Sequence, residues 1–500
     1  MIRIQSLNDL EQQLHYHFSL LRLPQKNWPV TYTHHNETVY DVVIVGAGMS
    51  GTCAAAALKL RGIHNILLLD SAPPHQEGPW TNFARMQTLR SPKELTGPAL
   101  GIPMLTFQAW YTAQHGTDSW HKLDRIPRLV WHDYLQWYKQ VLRLPVQNNQ
   151  RLCSIEPEPH AHLKHPLAKL HVLDLPSQKN QYYYARHVVL ALGMDGFGGP
   201  NIPDWAQHLP QSLWHHSSEA IDPKTFAKQH VLVIGGGDSA LDAVATALEN
   251  GAQQVDLGIR GSAYTHINYS KALGHFGHRA GYASLSPEQK STLLGFLAQH
   301  ATPPSRGTVA RVVAAANQRP GSLNLYFDYD VQQATHHQST VSLTGIQHGQ
   351  LRTLTAERLI LATGYQTDPR RRPELHQLIP HLKFYEAHAL APNVPSQSGV
   401  FPQLNQDFSF QAHAHTDYPL LAQIHCFMHA AILSVGRICG DIPGISHGAQ
   451  QMAHGIAAKL YKVDFKHAFN TVQHYDEYEV SDADLHPLMA LAKPHSELMS

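Results

Sequence analysis

Two rhythms of apolar and polar positions alternate along the chain. Residues 6 to 24 place apolar side chains at helical spacing behind a polar cap at Ser6 or Asn8, which predicts a helix packed on the main body. Short, almost continuous apolar runs then recur, each ending at a glycine or an acid, the pattern of strands buried on both faces. DVVIV (41–45) leads into GAGMSG and an alanine-rich helix to residue 60, and NILLLD closes a second strand at Asp70. Residues 74–145 are rich in Pro, Trp and Tyr, with a helical piece in WHDYLQWYKQVL. LCSIEP, KLHVLDL and YYYARHVVLALG predict three further strands. VLVIGGGDSALDA (231–243) repeats the strand, glycine turn and helix, and its second strand, QVDLGIRG, ends near Arg260. Strand signals return in LNLYFDYD, TVSLTGI and RLILATGY, and GDIPGISHGAQQMAHGIAAKLY reads as a glycine turn running into a helix.

This order predicts an α/β chain with two Rossmann-like dinucleotide-binding domains, the second inserted in the first. The expected divisions are an N-terminal helical extension (1–40), the first domain in two parts (41–205 and 346–500), and the second domain (206–345). The His-, Gly- and Pro-rich residues 262–320 are expected to form a helical insertion in that second domain.

Each glycine turn is a full nucleotide signature. In GAGMSG, Gly46, Gly48 and Gly51 have the GxGxxG spacing, with Met49 and Ser50 between. The first glycine permits the sharp turn, the second lets backbone approach a pyrophosphate, and the third lets helix and strand pack closely. Asp70, with Ser71 beside it, follows Gly46 by 24 residues and is placed to accept hydrogen bonds from a ribose. In GGGDSA, Gly235, Gly237 and Ala240 give the GxGxxA variant around Asp238 and Ser239. Here the second strand ends in Arg260 instead of an acid, and an arginine can pair with the 2′-phosphate that a carboxylate would repel. The first turn therefore suits a tightly held flavin, FAD, and the second suits NADPH over NADH.

Composition narrows the alternatives. Lys and Arg number 38, as do Asp and Glu, and no long basic run exists, so nucleic acid and anionic membranes are not expected partners. The longest apolar candidate, CFMHAAILSVGRICGDIPG, is broken by His429, Arg437 and Asp441, and the first residues lack the apolar core of a secretory signal. A cytoplasmic protein is expected. The four cysteines, Cys53, Cys153, Cys426 and Cys439, contain no CxxC, which argues against a disulfide scaffold, a zinc ribbon or a redox dithiol. No GxSxG or Walker sequence supports a hydrolase or NTPase. His413, His415, His425 and His429 have a spacing that could bind metal if they shared a helix face. In a chain with 38 histidines and no companion HExxH, no metal site is expected.

The paired glycine turns resemble those of the two-dinucleotide-fold flavoproteins, and among them the single-component flavin monooxygenases. The resemblance extends to EGPW (77–80), to LWHHSS (213–218) ahead of the second turn, and to ATGY (362–365) with ALGM (191–194) in the matching place. RMQTLRSP (85–92) is similar to the Met-Gln and TLRxP elements of bacterial amino-group N-hydroxylases. Two departures set subclasses aside. EAIDP lacks the tryptophan of the Baeyer–Villiger pattern, and Arg90 stands where eukaryotic-type monooxygenases carry asparagine.

The resemblance implies an NADPH-dependent monooxygenase that inserts one atom of O2 into a small polar substrate through a flavin C4a-hydroperoxide. It assigns Gly78, Trp80, Met86, Thr363, Gly364 and Tyr365 to cofactor binding, and Gln87, Arg90 and His216 to the catalytic centre. Arg85, Arg90 and Lys93 are expected to offer positive charge to an anionic substrate or to the reduced flavin. Asp441, Gly444 and Gln450 belong to a helix start expected to face the flavin, where its dipole would favour the reduced anion. The substrate is left open between amines, amino acids and urate-like heterocycles, and a homo-oligomer is left open too. The competing readings are an NAD(P)H-dependent reductase without oxygen insertion and a non-enzymatic flavin-binding subunit.

Overall fold

Ser6 caps the first helix, α1 (Leu7–Leu21), its hydroxyl accepting the Asp9 amide at 3.1 Å. Leu10, Leu14 and Phe18 form its buried face, each contributing about 1.5–3 kcal/mol relative to exposure. The structure, a computed structural model, describes residues 4–385 and 400–491.

After α1 comes a hairpin. β1 (Tyr32–His34) turns through His35 and Asn36, both at positive φ (50° and 66°), into β2 (Glu37–Val45). Left-handed residues at both turn positions match the twist of the flanking strands. The extension expected to be helical to residue 40 thus ends in a strand, because β2 starts at Glu37. α2 (Met49–Leu60) and β3 (Ile66–Leu69) complete the first strand–helix–strand unit. Then follow α3 (Phe107–Lys122), α4 (Arg128–Val141), β4 (Val146–Gln147), β5 (Gln150–Glu158), β6 (Leu167–Asp174) and β7 (Lys179–Leu190). The first sheet runs β4-β3-β2-β7-β6-β5, parallel from β4 to β7 and antiparallel beyond. Residues 42–45 and 188–190 are buried on both faces, which is why those stretches read as unbroken apolar runs.

The chain then leaves through β8 (Gly198–Pro200) and β9 (Trp214–His216) to β10 (His230–Ile234), α5 (Asp238–Glu249) and β11 (Gln254–Gly258). α6 (Phe276–Gly281), α7 (Pro287–Gln299) and α8 (Arg306–Gln318) lead to β12 (Leu323–Tyr326). A meander of β13 (Tyr329–His337), β14 (Thr340–Gln347) and β15 (Gln350–Ala356) precedes β16 (Arg358–Leu361) and β17 (Tyr365–Thr367). The second sheet has the all-parallel order β12-β11-β10-β16-β9. β17 pairs with β8, and β18 (Ile424–Cys426) returns to the first sheet beside β7. α9 (Ile432–Val435), α10 (Ile445–Val463), α11 (Phe465–Gln473) and α12 (Asp482–Met489) finish the described chain, with α10 packed on α2.

The pairings move two expected boundaries. The division at 345/346 falls inside β14, and the second sheet takes its strand β16 from beyond it. Residues 306–318 are not insertion: α8 is the crossover helix between parallel β11 and β12 and packs on α5. LNLYFDYD is two strands, not one, since Asp328 turns at positive φ (55°). No described helix is long and apolar enough to cross a membrane.

Candidate active site

At the first glycine turn the backbone leaves no room for side chains. A Cβ on Gly46, at φ 102°, would stand 2.3 Å from the Ala191 carbonyl oxygen, and one on Gly51 would stand 1.8 Å from that of Gly46. Gly48 faces Gly78 across van der Waals distance, so EGPW closes over the start of α2, where Met49 is buried beside half-buried Ser50. Asp70 accepts the amides of Ala47 at 2.7 Å and Ala72 at 2.8 Å, which ties the acid to the turn, while Ser71 is exposed. Burial raises the Asp70 pKa. Burial would also raise that of Glu77, but hydrogen bonds from the Lys139 ammonium and from Asn148 hold it down to about 2. Trp80 is buried against Trp131 with its indole Nε1 unpaired.

The start of α10 lies against the same region. Ser446 Oγ donates to Gly97 O and accepts the Leu100 amide at 2.9 Å, Gln450 Nε2 donates to Leu100 O at 2.9 Å, and Cys53 of α2 contacts the Ile445 carbonyl. Gly444 is the N-cap and supplies no side-chain cap; the Ile445 amide bonds the Asp441 carbonyl, and the Ser446 and His447 amides are left for a ligand. Asp441, just before it, is largely buried with Oδ1 unpaired, and burial raises its pKa to about 6. The cradle therefore fits a flavin dinucleotide: glycine backbone for phosphates, a buried acid at the strand end, an unpaired indole N–H and an uncapped helix start.

The second turn repeats the geometry more openly. A Cβ on Gly235 (φ 147°) would stand 2.4 Å from Ala362 O, whereas one on Gly237 would touch nothing within 4 Å. Ala240 is buried, Ser239 exposed, and Arg260 exposed without an ion-pair partner among the described residues. His216 is fully buried, and its Nδ1 accepts the Ser218 amide at 3.2 Å. Its ring proton therefore sits on Nε2, a buried donor without a partner, and burial lowers its pKa. The Tyr365 ring lies 5.8 Å away, beside Gly364 at φ 81°, while Thr363 bonds the Asn201 carbonyl.

Between the two turns runs the segment 80–93. Arg85 donates to the carbonyls of Ser217 (2.6 Å) and Glu219 (2.8 Å), fixing the loop that carries His216. Arg90 pairs with Asp238 and Asp242, and Lys93 donates to the Trp120 and Leu123 carbonyls. The three cations expected to serve a substrate are therefore spent on protein partners. Met86, Gln87 and Arg90 nonetheless line a small open cleft together with Arg125, Arg306 and Arg311. Gln87 itself reaches Glu249 at 3.5 Å. Arg311, missed in the sequence, binds Asp242, Glu249 and the Arg85 carbonyl; the acids at 238, 242 and 249 along one helix were its only signal.

The four histidines considered for metal do not share a helix face. His425 lies in β18, and His429 begins a separate short turn. His425 Nε2 meets His187 Nδ1 at 3.2 Å, its Nδ1 donates to the Asp407 carbonyl, and burial lowers its pKa to about 4. It is a neutral core pair.

Two glycine cradles, each at the end of a parallel strand in its own sheet, mark a two-dinucleotide-binding fold, and the relatives place it among the flavoprotein monooxygenases. The chain belongs to the L-lysine 6-monooxygenase/L-ornithine 5-monooxygenase family, whose model matches residues 38–367. It is 34% identical over 495 residues to the FAD-dependent urate hydroxylase of Xanthomonas campestris pv. campestris, covering 97% of this chain and 100% of that protein. The ornithine hydroxylase of Pseudomonas aeruginosa superposes with a TM-score of 0.69 at 17% identity, covering 84% of this chain and 100% of that one. The ornithine N-hydroxylase of Kutzneria sp. 744, solved with reduced FAD, NADP+ and L-ornithine, gives 0.67 at 17% identity, with 84% and 99% covered. At these identities the solved structures show the shared fold.

Proposed function

We propose that this chain is an NADPH-dependent FAD monooxygenase whose substrate is a small anionic heterocycle of the urate type. The observation that carries the substrate class is the full-length 34% identity to a urate hydroxylase. The cleft supports it: Asp242, the one carboxylate in its lining, is already held by Arg90 and Arg311, and Arg125 and Arg306 have no carboxylate partner among the described residues. Such a cleft suits a delocalised anion better than a free ammonium group.

Bound FAD would supply hydride acceptance from NADPH and reaction with O2. The chain's own part is to hold and shield. Gly46, Gly48 and Gly51 seat the flavin phosphates and Asp70 its ribose, while Trp80 and Met86 exclude water beside it. Gly235, Gly237 and the start of α5 seat NADPH, with Arg260 at its 2′-phosphate. His216 offers its unpaired Nε2–H to the bound nicotinamide dinucleotide, and Gln87 lines the cleft.

The test is turnover with urate, NADPH and ¹⁸O2. The reading expects NADPH consumed in step with one ¹⁸O in the product and little hydrogen peroxide. If urate leaves NADPH oxidation tightly tied to peroxide release while an amine or amino acid becomes labelled, the substrate class is wrong. If no substrate is labelled and an added electron acceptor is reduced, the reductase reading replaces it.

A further inference from the structure

We propose that His34, His35 and Glu158 form a site for a divalent transition metal, with zinc the best match, at the far end of β2 from the first glycine turn. Their ligand atoms all lie within 4.8 Å of one another. His34 Nε2 stands 3.4 Å from Glu158 Oε1, and His35 Nε2 stands 3.9 Å from the same oxygen. Around zinc with bonds of about 2.0–2.1 Å, tetrahedral ligands are about 3.3–3.4 Å apart. Of the three separations, the His34–Glu158 one already matches that edge, the His35–Glu158 one needs a small movement of an exposed ring, and the two imidazoles, within 4.8 Å of each other, close by that same movement.

The hairpin explains how two successive residues face one carboxylate. In an extended strand His34 and His35 would point to opposite faces. The left-handed turn at His35 (φ 50°) brings both rings to one side, with centroids 4.0 Å apart. His34 is set in place: it packs edge-on against Tyr184 at 4.8 Å and beside His160 at 5.5 Å. Glu158 is oriented through its other oxygen by Lys169 at 3.5 Å, and Lys169 in turn lies over the Tyr182 ring. Outer contacts of this kind fix ligand geometry in metal sites.

Two imidazoles and one carboxylate suit zinc, cobalt or nickel, with water in the open position, whereas magnesium and calcium call for oxygen ligands. A bound ion would tie the β1–β2 turn to the end of β5, a link between residues 124 apart in sequence. Lys169 is the one feature that opposes it, since its ammonium shares Glu158 with the metal.

The experiment uses the full-length protein without a histidine tag, stripped with chelator and titrated with Co2+ at a pH where imidazoles are neutral. Visible ligand-field absorption of the tetrahedral type should saturate at one Co2+ per chain and be displaced by Zn2+. His34→Ala and Glu158→Gln should each weaken Co2+ binding by about tenfold or more. Exposed His35→Ala, which cannot disturb the core, should do the same, and Lys169→Met should tighten binding. His413→Ala, outside the cluster, should change nothing. Absent ligand-field absorption in the wild type, or unchanged affinity in His35→Ala and Glu158→Gln, overturns the site.

Discussion

Arg90 crosses from the first dinucleotide unit to the second, its Nε 2.9 Å from Asp238 Oδ2 and its Nη2 3.2 Å from Asp242 Oδ2. Asp238 is the first residue of α5, immediately after Gly237, and also accepts the Ser305 amide at 2.8 Å. A carboxylate at that position works against an incoming pyrophosphate, and Arg90 offsets its charge.

Replacing Arg90 by Met should therefore raise the KM for NADPH and leave FAD retention intact. Half-exposed pairs of this kind contribute about 1 kcal/mol, which is about a fivefold change. Steady-state NADPH oxidation and the flavin absorbance per chain measure the two effects separately. A KM within error of wild type would show that the bridge only decorates the interface.

Both glycine turns were legible in the sequence because each is a local signature with every determinant inside thirty residues. Gly46 and Gly235 occupy the positive-φ, no-Cβ positions that the motif requires. The Arg311–Asp242 bridge was not legible, since its partners are 69 residues apart and only the packing of α8 on α5 brings them together. α8 was hidden for a related reason: a long His- and Pro-rich stretch separates it from β11, which obscured its role as the crossover helix. The i, i+4 spacing of His425 and His429 could not tell a shared helix face from what is a strand followed by a short turn. Arg85 was found as a cation, but its binding of the Ser217 and Glu219 carbonyls depends on contacts 132 and 134 residues away.

The two cradles should fail independently. Gly46→Ala places a Cβ 2.3 Å from Ala191 O at a φ of 102°, and Gly235→Ala places one 2.4 Å from Ala362 O at 147°. The first variant should purify without FAD, and the second should retain FAD yet bind NADPH too weakly to saturate. Gly237→Ala is a finer probe, because its Cβ meets nothing within 4 Å of the protein. It should unfold in urea at the wild-type midpoint and still raise the NADPH KM, since only the nucleotide crowds that site. Equal FAD loss in all three variants would sink the two-cradle assignment.

Arg260 is exposed at the end of β11 without a carboxylate partner among the described residues, so Arg260→Ala should alter stability by less than about 0.5 kcal/mol. Its effect should fall on the coenzyme. Losing a charged hydrogen bond to the 2′-phosphate is worth about 1.5–3 kcal/mol, a rise in NADPH KM of about ten- to a hundredfold. The NADH KM should stay constant, so the preference ratio collapses. An equal loss with both coenzymes would move the 2′-phosphate to another cation.

Asp441 gives the pH dependence. Burial raises its pKa from 3.8 to about 6, opposed in part by Arg437, by the Gly444 and Asp441 amides and by Arg279, while its Oδ1 lacks a hydrogen-bond donor. The folded state therefore holds this proton more tightly than the unfolded state, and stability falls as pH rises from about 4 through about 6. A two-unit shift amounts to at most about 3 kcal/mol. Asp441→Asn removes the ionisation, so the variant apoprotein should match wild type near pH 4 and exceed it by about 1–3 kcal/mol near pH 8. Every other titrating group is common to both proteins and cancels in the difference. Urea unfolding at the two pH values measures it, and a variant less stable than wild type at the higher pH would mean that the ionised carboxylate is paired in solution.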